Sequence, residues 1–146
     1  MPGCKRWSPD GLLREVAEAH SLGIGAIVLF PAIDENLKST NADECHNDDG
    51  LIPQTIRAIK NETPDVAVIT DVALDPYSSD GHDGLVSENG KILNDETIEV
   101  LCKQAICHAR AGADIVAPSD MMDGRVGAIR TALDNTGHDE TSILSY

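Results

Sequence analysis

The groups best able to do chemistry in this 146-residue chain are crowded into two short stretches. The first is Thr70-Asp71-Val72-Ala73-Leu74-Asp75-Pro76-Tyr77-Ser78-Ser79-Asp80-Gly81-His82-Asp83-Gly84. It places Asp71, Asp75, Asp80, His82 and Asp83 within 13 residues. Such an oxygen-rich set suits a hard cation such as Mg²⁺ better than Zn²⁺. An acidic, solvated turn that binds nothing would have the same composition, so the residues alone leave both readings open. The second stretch is Pro118-Ser119-Asp120-Met121-Met122-Asp123-Gly124-Arg125. Its hydroxyl and carboxylates could line a pocket, or Asp120 or Asp123 could simply cap the helix that follows.

The elements around these stretches follow from periodicity and punctuation. Ser8-Pro9 predicts a helix start, and Leu12, Leu13, Val16 and Ala19 share one face of that helix until Leu22-Gly23. Ala26 to Phe30 is an apolar run of strand type. A second helix is expected from Leu51 to Lys60 with Ile52, Ile56 and Ile59 inward, followed by a buried strand from Val66 to Val72. Asn94 is expected to cap a third helix, with Asp95 and Glu96 favouring its dipole and Ile98, Leu101, Cys102, Ala105 and Ala109 inward. Asp114 to Pro118 contains the next strand. A fourth helix runs from about Gly124 to Leu133 with Val126, Ile129 and Leu133 inward, and Ser142 to Tyr146 starts another strand.

Strands that are apolar throughout and separated by amphipathic helices predict an α/β fold, a parallel sheet covered by helices. Four strands fit either a small open sheet or half of a (β/α)8 barrel. In both cases Asp71 and Ser119 fall at the carboxyl ends of strands, where parallel folds place their sites. The polar, Gly-rich segment from Asp75 to Leu93 breaks the rhythm, and loops of that length are usually functional.

Composition narrows the partners. A formal net charge of −14 repels phosphate backbones and anionic lipid surfaces, so neither nucleic acid nor membrane is an expected partner. No run approaches the roughly 18 apolar residues of a bilayer span, and Met-Pro-Gly-Cys-Lys-Arg-Trp shows no targeting segment. The four cysteines, Cys4, Cys45, Cys102 and Cys107, form no Cys-x-x-Cys pair, so free thiols are expected.

Asp-Val-Ala-Leu-Asp-Pro-Tyr, Gly-His-Asp-Gly and Pro-Ser-Asp-Met-Met-Asp-Gly-Arg-Val-Gly-Ala-Ile-Arg together resemble the porphobilinogen synthase (5-aminolaevulinic acid dehydratase) family. The resemblance runs from Met1-Pro2-Gly3 through Leu29-Phe30-Pro31 to Ser145-Tyr146. It implies residues 1–146 as the central portion of one (β/α)8 TIM-barrel domain, incomplete at both ends, in a protein usually assembled as a homo-octamer. It also implies condensation of two 5-aminolaevulinate molecules to porphobilinogen with loss of two waters, on the path to haem and chlorophyll. The location implied is the plastid stroma in a photosynthetic eukaryote and the cytoplasm otherwise.

By the same resemblance, Asp71 and Ser119 bind the substrate amino group, with His82 and Asp120 in support. Ala73, Asp75 and Asp83 stand where zinc-dependent members carry cysteines. That resembles the aspartate-rich, magnesium-associated branch, with Asp75 and Asp83 at the metal, rather than a cysteine-ligated zinc. The Schiff-base lysines of the family match no residue of this chain, so it is expected to be inactive alone. An alternative role is a non-catalytic remnant that binds cations or pairs with other subunits. An unrelated Schiff-base aldolase on the same barrel fits less well, because it too would need a suitably placed lysine. Arg125 is expected to partner nearby acids rather than to catalyse.

Overall fold

The computed structural model describes residues 2–146; Met1, where the resembling stretch starts, lies outside them. Four strands form one wholly parallel sheet in sequence order: β1 (Ala26–Leu29), β2 (Ala67–Val72), β3 (Ile115–Pro118) and β4 (Ser142–Ile143). Helices α1 (Pro9–Ser21), α2 (Leu51–Glu62), α3 (Asn94–Ala111) and α4 (Arg125–Asn135) alternate with them. The expected partial barrel is therefore present as four parallel strands with flanking helices.

The local causes are visible at the helix ends. The Ser8 hydroxyl accepts from Gly11 N–H at 3.4 Å, and Pro9 costs no hydrogen bond in the first turn. Asn94 differs from expectation: Leu93 is the cap residue and Asn94 is the first residue inside α3. Its side chain is occupied across the fold, with Oδ1 accepting from Asp123 N–H at 2.8 Å and Nδ2 donating to the Asp123 carbonyl at 3.3 Å. Asn94 thus ties the start of α3 to the turn before α4. Helix α4 starts one residue later than expected, because Gly124 holds a left-handed φ of 82° that only glycine adopts freely.

The register decides which side chains share a face. Val28 pairs with Ile69 and Ile69 with Ile115, and Asp71 pairs with Ala117. Side chains alternate along a strand, so Val68, Thr70, Val72 and Val116 face the helices, and all four are fully buried. The three valines join two apolar clusters. Leu101, Ala105, Ile129 and Leu133 of α3 and α4 cover one end, and Val16, Ile52, Ile56 and Ile59 of α1 and α2 cover the other. The opposite face carries Val28, Phe30, Ile69, Asp71 and Leu144, and among the described residues the helices pack on the other side. Val28 is 44% exposed, Phe30 66% and Leu144 45%. In a closed barrel this is the face that turns inward.

The connection from Asp75 to Leu93 is pinned down along its length. Ser78 bridges to Ser39, Val86 bridges to Ile92, and Tyr77 is buried. Thr97 Oγ1 accepts from Leu85 N–H at 2.9 Å, which fastens the loop to α3. Two short 3-10 turns, Glu35–Leu37 and Asp43–His46, follow β1; no sequence periodicity announces them. Among the described residues no helix is long and apolar enough to cross a membrane.

Candidate functional site

The polar groups singled out from the sequence gather at the carboxyl ends of β2 and β3. Asp71 lies on the helix-free face near the end of β2 and is 8% exposed. Ser119 follows β3 directly and continues the pairing, its N–H donating to the Val72 carbonyl at 3.4 Å. By alternation Ser119 lies on the same face as Asp71, one layer further out. Tyr146, which the sequence reasoning missed, comes from the β4 side, and its hydroxyl donates to Asp71 Oδ1 at 2.9 Å.

Burial raises the Tyr146 phenol above its ordinary pKa, and the hydrogen bond to Asp71 and that group's negative charge add to the rise. The Ser119 hydroxyl opposes the shift. Three adjacent strands therefore each send one polar group to a common point.

Asp75 begins the loop above this point and is exposed, whereas Asp83 is half-buried. Partial burial raises the Asp75 carboxyl, followed by the negative charges of Asp83 and Asp71. These three carboxylates thus share one acidic mouth. The charge of Asp83 also reaches the Asp120 carboxyl. Among the described residues no three or more His, Cys, Asp or Glu side chains come close enough together to cage a metal ion.

His82 takes a defined tautomer. Its Nδ1 accepts from Gly84 N–H at 2.9 Å, so the proton of the neutral ring sits on Nε2 as a donor. This leaves neither nitrogen free for a cation. Asp80 is exposed, and its backbone N–H closes a turn onto Ser78 Oγ at 3.1 Å. Gly84 cannot be replaced without movement: a Cβ there would come within 2.9 Å of Ile92 and 3.0 Å of Met122. The Gly84 backbone therefore packs directly against the ends of the Ile92 and Met122 side chains.

Asp120 is buried and fully engaged. Oδ2 accepts from Met122 N–H at 2.8 Å, and Oδ1 lies 2.9 Å from Arg125 Nε. The Arg125 N–H does not point along that contact, which makes it an ion pair rather than a hydrogen bond. Burial raises the Asp120 carboxyl, against the pull of Met122 N–H and Arg125. Arg125 is the partner of an acid, as expected.

The thiols stand apart from this mouth. All four are free. Burial pushes the Cys107 thiol up to about 12, with Asp48 adding to the rise, and Cys45 is pushed higher still, chiefly by burial. Zinc takes cysteine as the thiolate, the form that burial disfavours at Cys45 and Cys107. Two of the lysines are ion-paired elsewhere. Lys60 on α2 pairs with Asp114 at 2.5 Å, at the amino end of β3, and Lys38 pairs with Glu35 at 2.6 Å.

A cavity of about 790 Å³ lies elsewhere, along the outer edge of β1, between Trp7, Leu12, Phe30, Leu37 and Leu51. It exists because β1 has no outer neighbour.

A parallel sheet flanked by helices, with its polar groups at the strands' carboxyl ends, defines part of a barrel-type enzyme fold. A family model described as delta-aminolevulinic acid dehydratase matches residues 1–146. The chain belongs to that family. It is 61% identical over 148 aligned residues to the chloroplastic delta-aminolevulinic acid dehydratase 1 of Arabidopsis thaliana, and 60% identical to the chloroplastic enzyme of Pisum sativum. Both alignments cover all of this chain, and 34% and 37% of those proteins. It also superimposes on the crystal structure of the Toxoplasma gondii enzyme in complex with its product porphobilinogen. That match has a TM-score of 0.98 and 60% identity, over 100% of this chain and 42% of the other. The chain spans about a third of the length of the curated relatives it matches.

Proposed function

We propose that residues 1–146 supply the amino-recognition and cation-poising part of a porphobilinogen synthase, within a longer barrel domain. The reaction is the condensation of two 5-aminolaevulinate molecules to porphobilinogen with loss of two waters. The observation that carries this reading is the convergence of Asp71 and Ser119 at adjacent strand ends on the face turned away from the helices. An ammonium there gains a charge-assisted hydrogen bond from the carboxylate and a second from the hydroxyl. In ion pairs among the described residues Asp71 has no basic partner, so its charge stays available to a cationic substrate.

The mutual repulsion of Asp75 and Asp83 favours a cation between them. Two carboxylates suit Mg²⁺, which keeps several of its own waters, and do not suit an ion that needs thiolates. When bound, the ion supplies positive charge beside the amino-recognition site. His82 Nε2–H is available to a ligand-bound oxygen, and Asp120 with Arg125 fixes the turn that carries Ser119. Assembly as a homo-octamer and residence in the plastid, where the plant relatives are described, belong to the same proposal.

The test is an exchange chimera in which this chain replaces the matched third of the Arabidopsis thaliana relative. A folded chimera that forms porphobilinogen supports the reading, and one that folds but forms none rejects it.

A further inference from the structure

Tyr146 has no role in that account, yet its placement is hard to explain by packing. The ring lies on the helix-free face and is 61% exposed, so it fills no core. Its hydroxyl is nonetheless directed at Asp71 Oδ1 from 75 positions away in sequence, with Ser119 beside it. A phenylalanine would pack equally well and make neither contact. The information in this residue is its hydroxyl.

We propose that Tyr146 is a positioning residue for amino-group recognition, holding the Asp71 carboxylate in one orientation between the ends of β2 and β4. The inference rests on the functional reading above and extends it to a third strand. A carboxylate offers about four lone-pair sites, and one neutral donor occupies one of them. A phenol therefore fixes the group without cancelling its charge. An arginine or lysine in the same place would fix it too, but it would compete with the ammonium of the substrate. The nearby guanidinium, Arg125, is held by Asp120 and does not meet this need.

The contact can be tested on this chain without any activity. Its two tyrosines separate on titration, since burial drives Tyr77 far above the ordinary range and Tyr146 less so. The phenol that ionises first, followed by phenolate ultraviolet absorbance, is Tyr146. Asp71→Asn should bring that ionisation down towards the ordinary value of 10, and Tyr146→Phe should remove it. An unchanged titration in Asp71→Asn overturns the contact and the proposal with it.

The role is read in the chimera with the Arabidopsis thaliana relative. Tyr146→Phe should raise the KM for 5-aminolaevulinate about ten-fold while kcat changes less than about two-fold, as expected for loss of one hydrogen bond to a charged group. An active chimera whose KM does not respond to Tyr146→Phe overturns the role of Tyr146 alone. A folded but inactive chimera rejects the functional reading as well. If the chimera does not fold, the titration decides.

Discussion

The Tyr146 hydroxyl and Asp71 Oδ1 meet at 2.9 Å across the ends of β2 and β4, with β3 lying between those strands. Neither strand could arrange this alone. The parallel register sets Asp71 level with Ala117, and two further residues of β-type alternation bring Ser119 to the outer layer. The site is a property of the sheet, and its charge balance leads to several measurable consequences.

The crowding of Asp75 and Asp83 costs stability at neutral pH. A carboxyl raised above its ordinary 3.8 stabilises the fold while protonated, and that contribution is lost as pH rises through the folded value. Asp75→Asn should therefore stabilise the chain at neutral pH, by less than about 1 kcal/mol because solvent screens so exposed a group. Mg²⁺ should raise the melting temperature of the unmodified chain and not that of Asp83→Ala. A greater stabilisation by Zn²⁺ than by Mg²⁺ would contradict the oxygen-ligand assignment.

His108 gives the fold an acid-side weakness. Its ring is 1% exposed, Nδ1 lies 3.0 Å from Thr70 Oγ1, and burial lowers its pKa from 6.5 to about 4. The unfolded chain takes up a proton first as pH falls below 6.5, so stability is full above that value and declines towards 4. Between about pH 7 and about pH 5 the loss through this group should be roughly 2 kcal/mol. Urea denaturation of the unmodified chain and of His108→Gln would show it as a pH slope that the variant lacks. Equal slopes would mean that His108 is solvated.

Covalent trapping should fail on this chain. Lys60 and Lys38 are ion-paired away from the acidic mouth, and Lys5, Lys91 and Lys103 are exposed. An amine nucleophile needs a depressed pKa and a place beside the substrate ketone. Borohydride reduction in the presence of 5-aminolaevulinate, read by mass spectrometry, should give no adduct. A stoichiometric adduct on any of the five would relocate the chemistry.

The helix-free face sets the stability of the isolated chain. Val28, Phe30 and Leu144 are each more than 40% exposed there. Each large apolar side chain left in water forgoes about 1.5–3 kcal/mol, against a net domain stability of about 5–15 kcal/mol. The isolated chain should be marginally stable and prone to associate through this face. Hydrogen exchange should find the amides of Val68 and Thr70 weakly protected. Slow exchange in a monomer with a sharp thermal transition would show that the four strands close a sufficient core.

The helices and strands were legible because each rests on a run of its own residues. Ile52, Ile56 and Ile59 mark α2, and the unbroken apolar stretch before Asp71 marks β2. Asp71 and Ser119 were legible as polar residues ending apolar strands. Tyr146 was not, since nothing local distinguishes a tyrosine whose partner lies two strands away. The Asn94 side chain misled for a similar reason: its partner, Asp123, is 29 positions distant. The 3-10 turns after β1 are held by contacts to the loop, Ser39 with Ser78 above all, and such pairing leaves no periodic trace.

The central claim is that Asp71 and Ser119 hold the amino group of the substrate. Its most direct measurement is kcat/KM for porphobilinogen formation by the chimera with the Arabidopsis thaliana relative, with and without Asp71→Ala and Ser119→Ala. Losing a charged hydrogen-bond partner of a cation should cost Asp71→Ala about a hundred-fold, and the neutral Ser119→Ala about ten-fold. Activity within about two-fold of the unmodified chimera in Asp71→Ala would contradict the account.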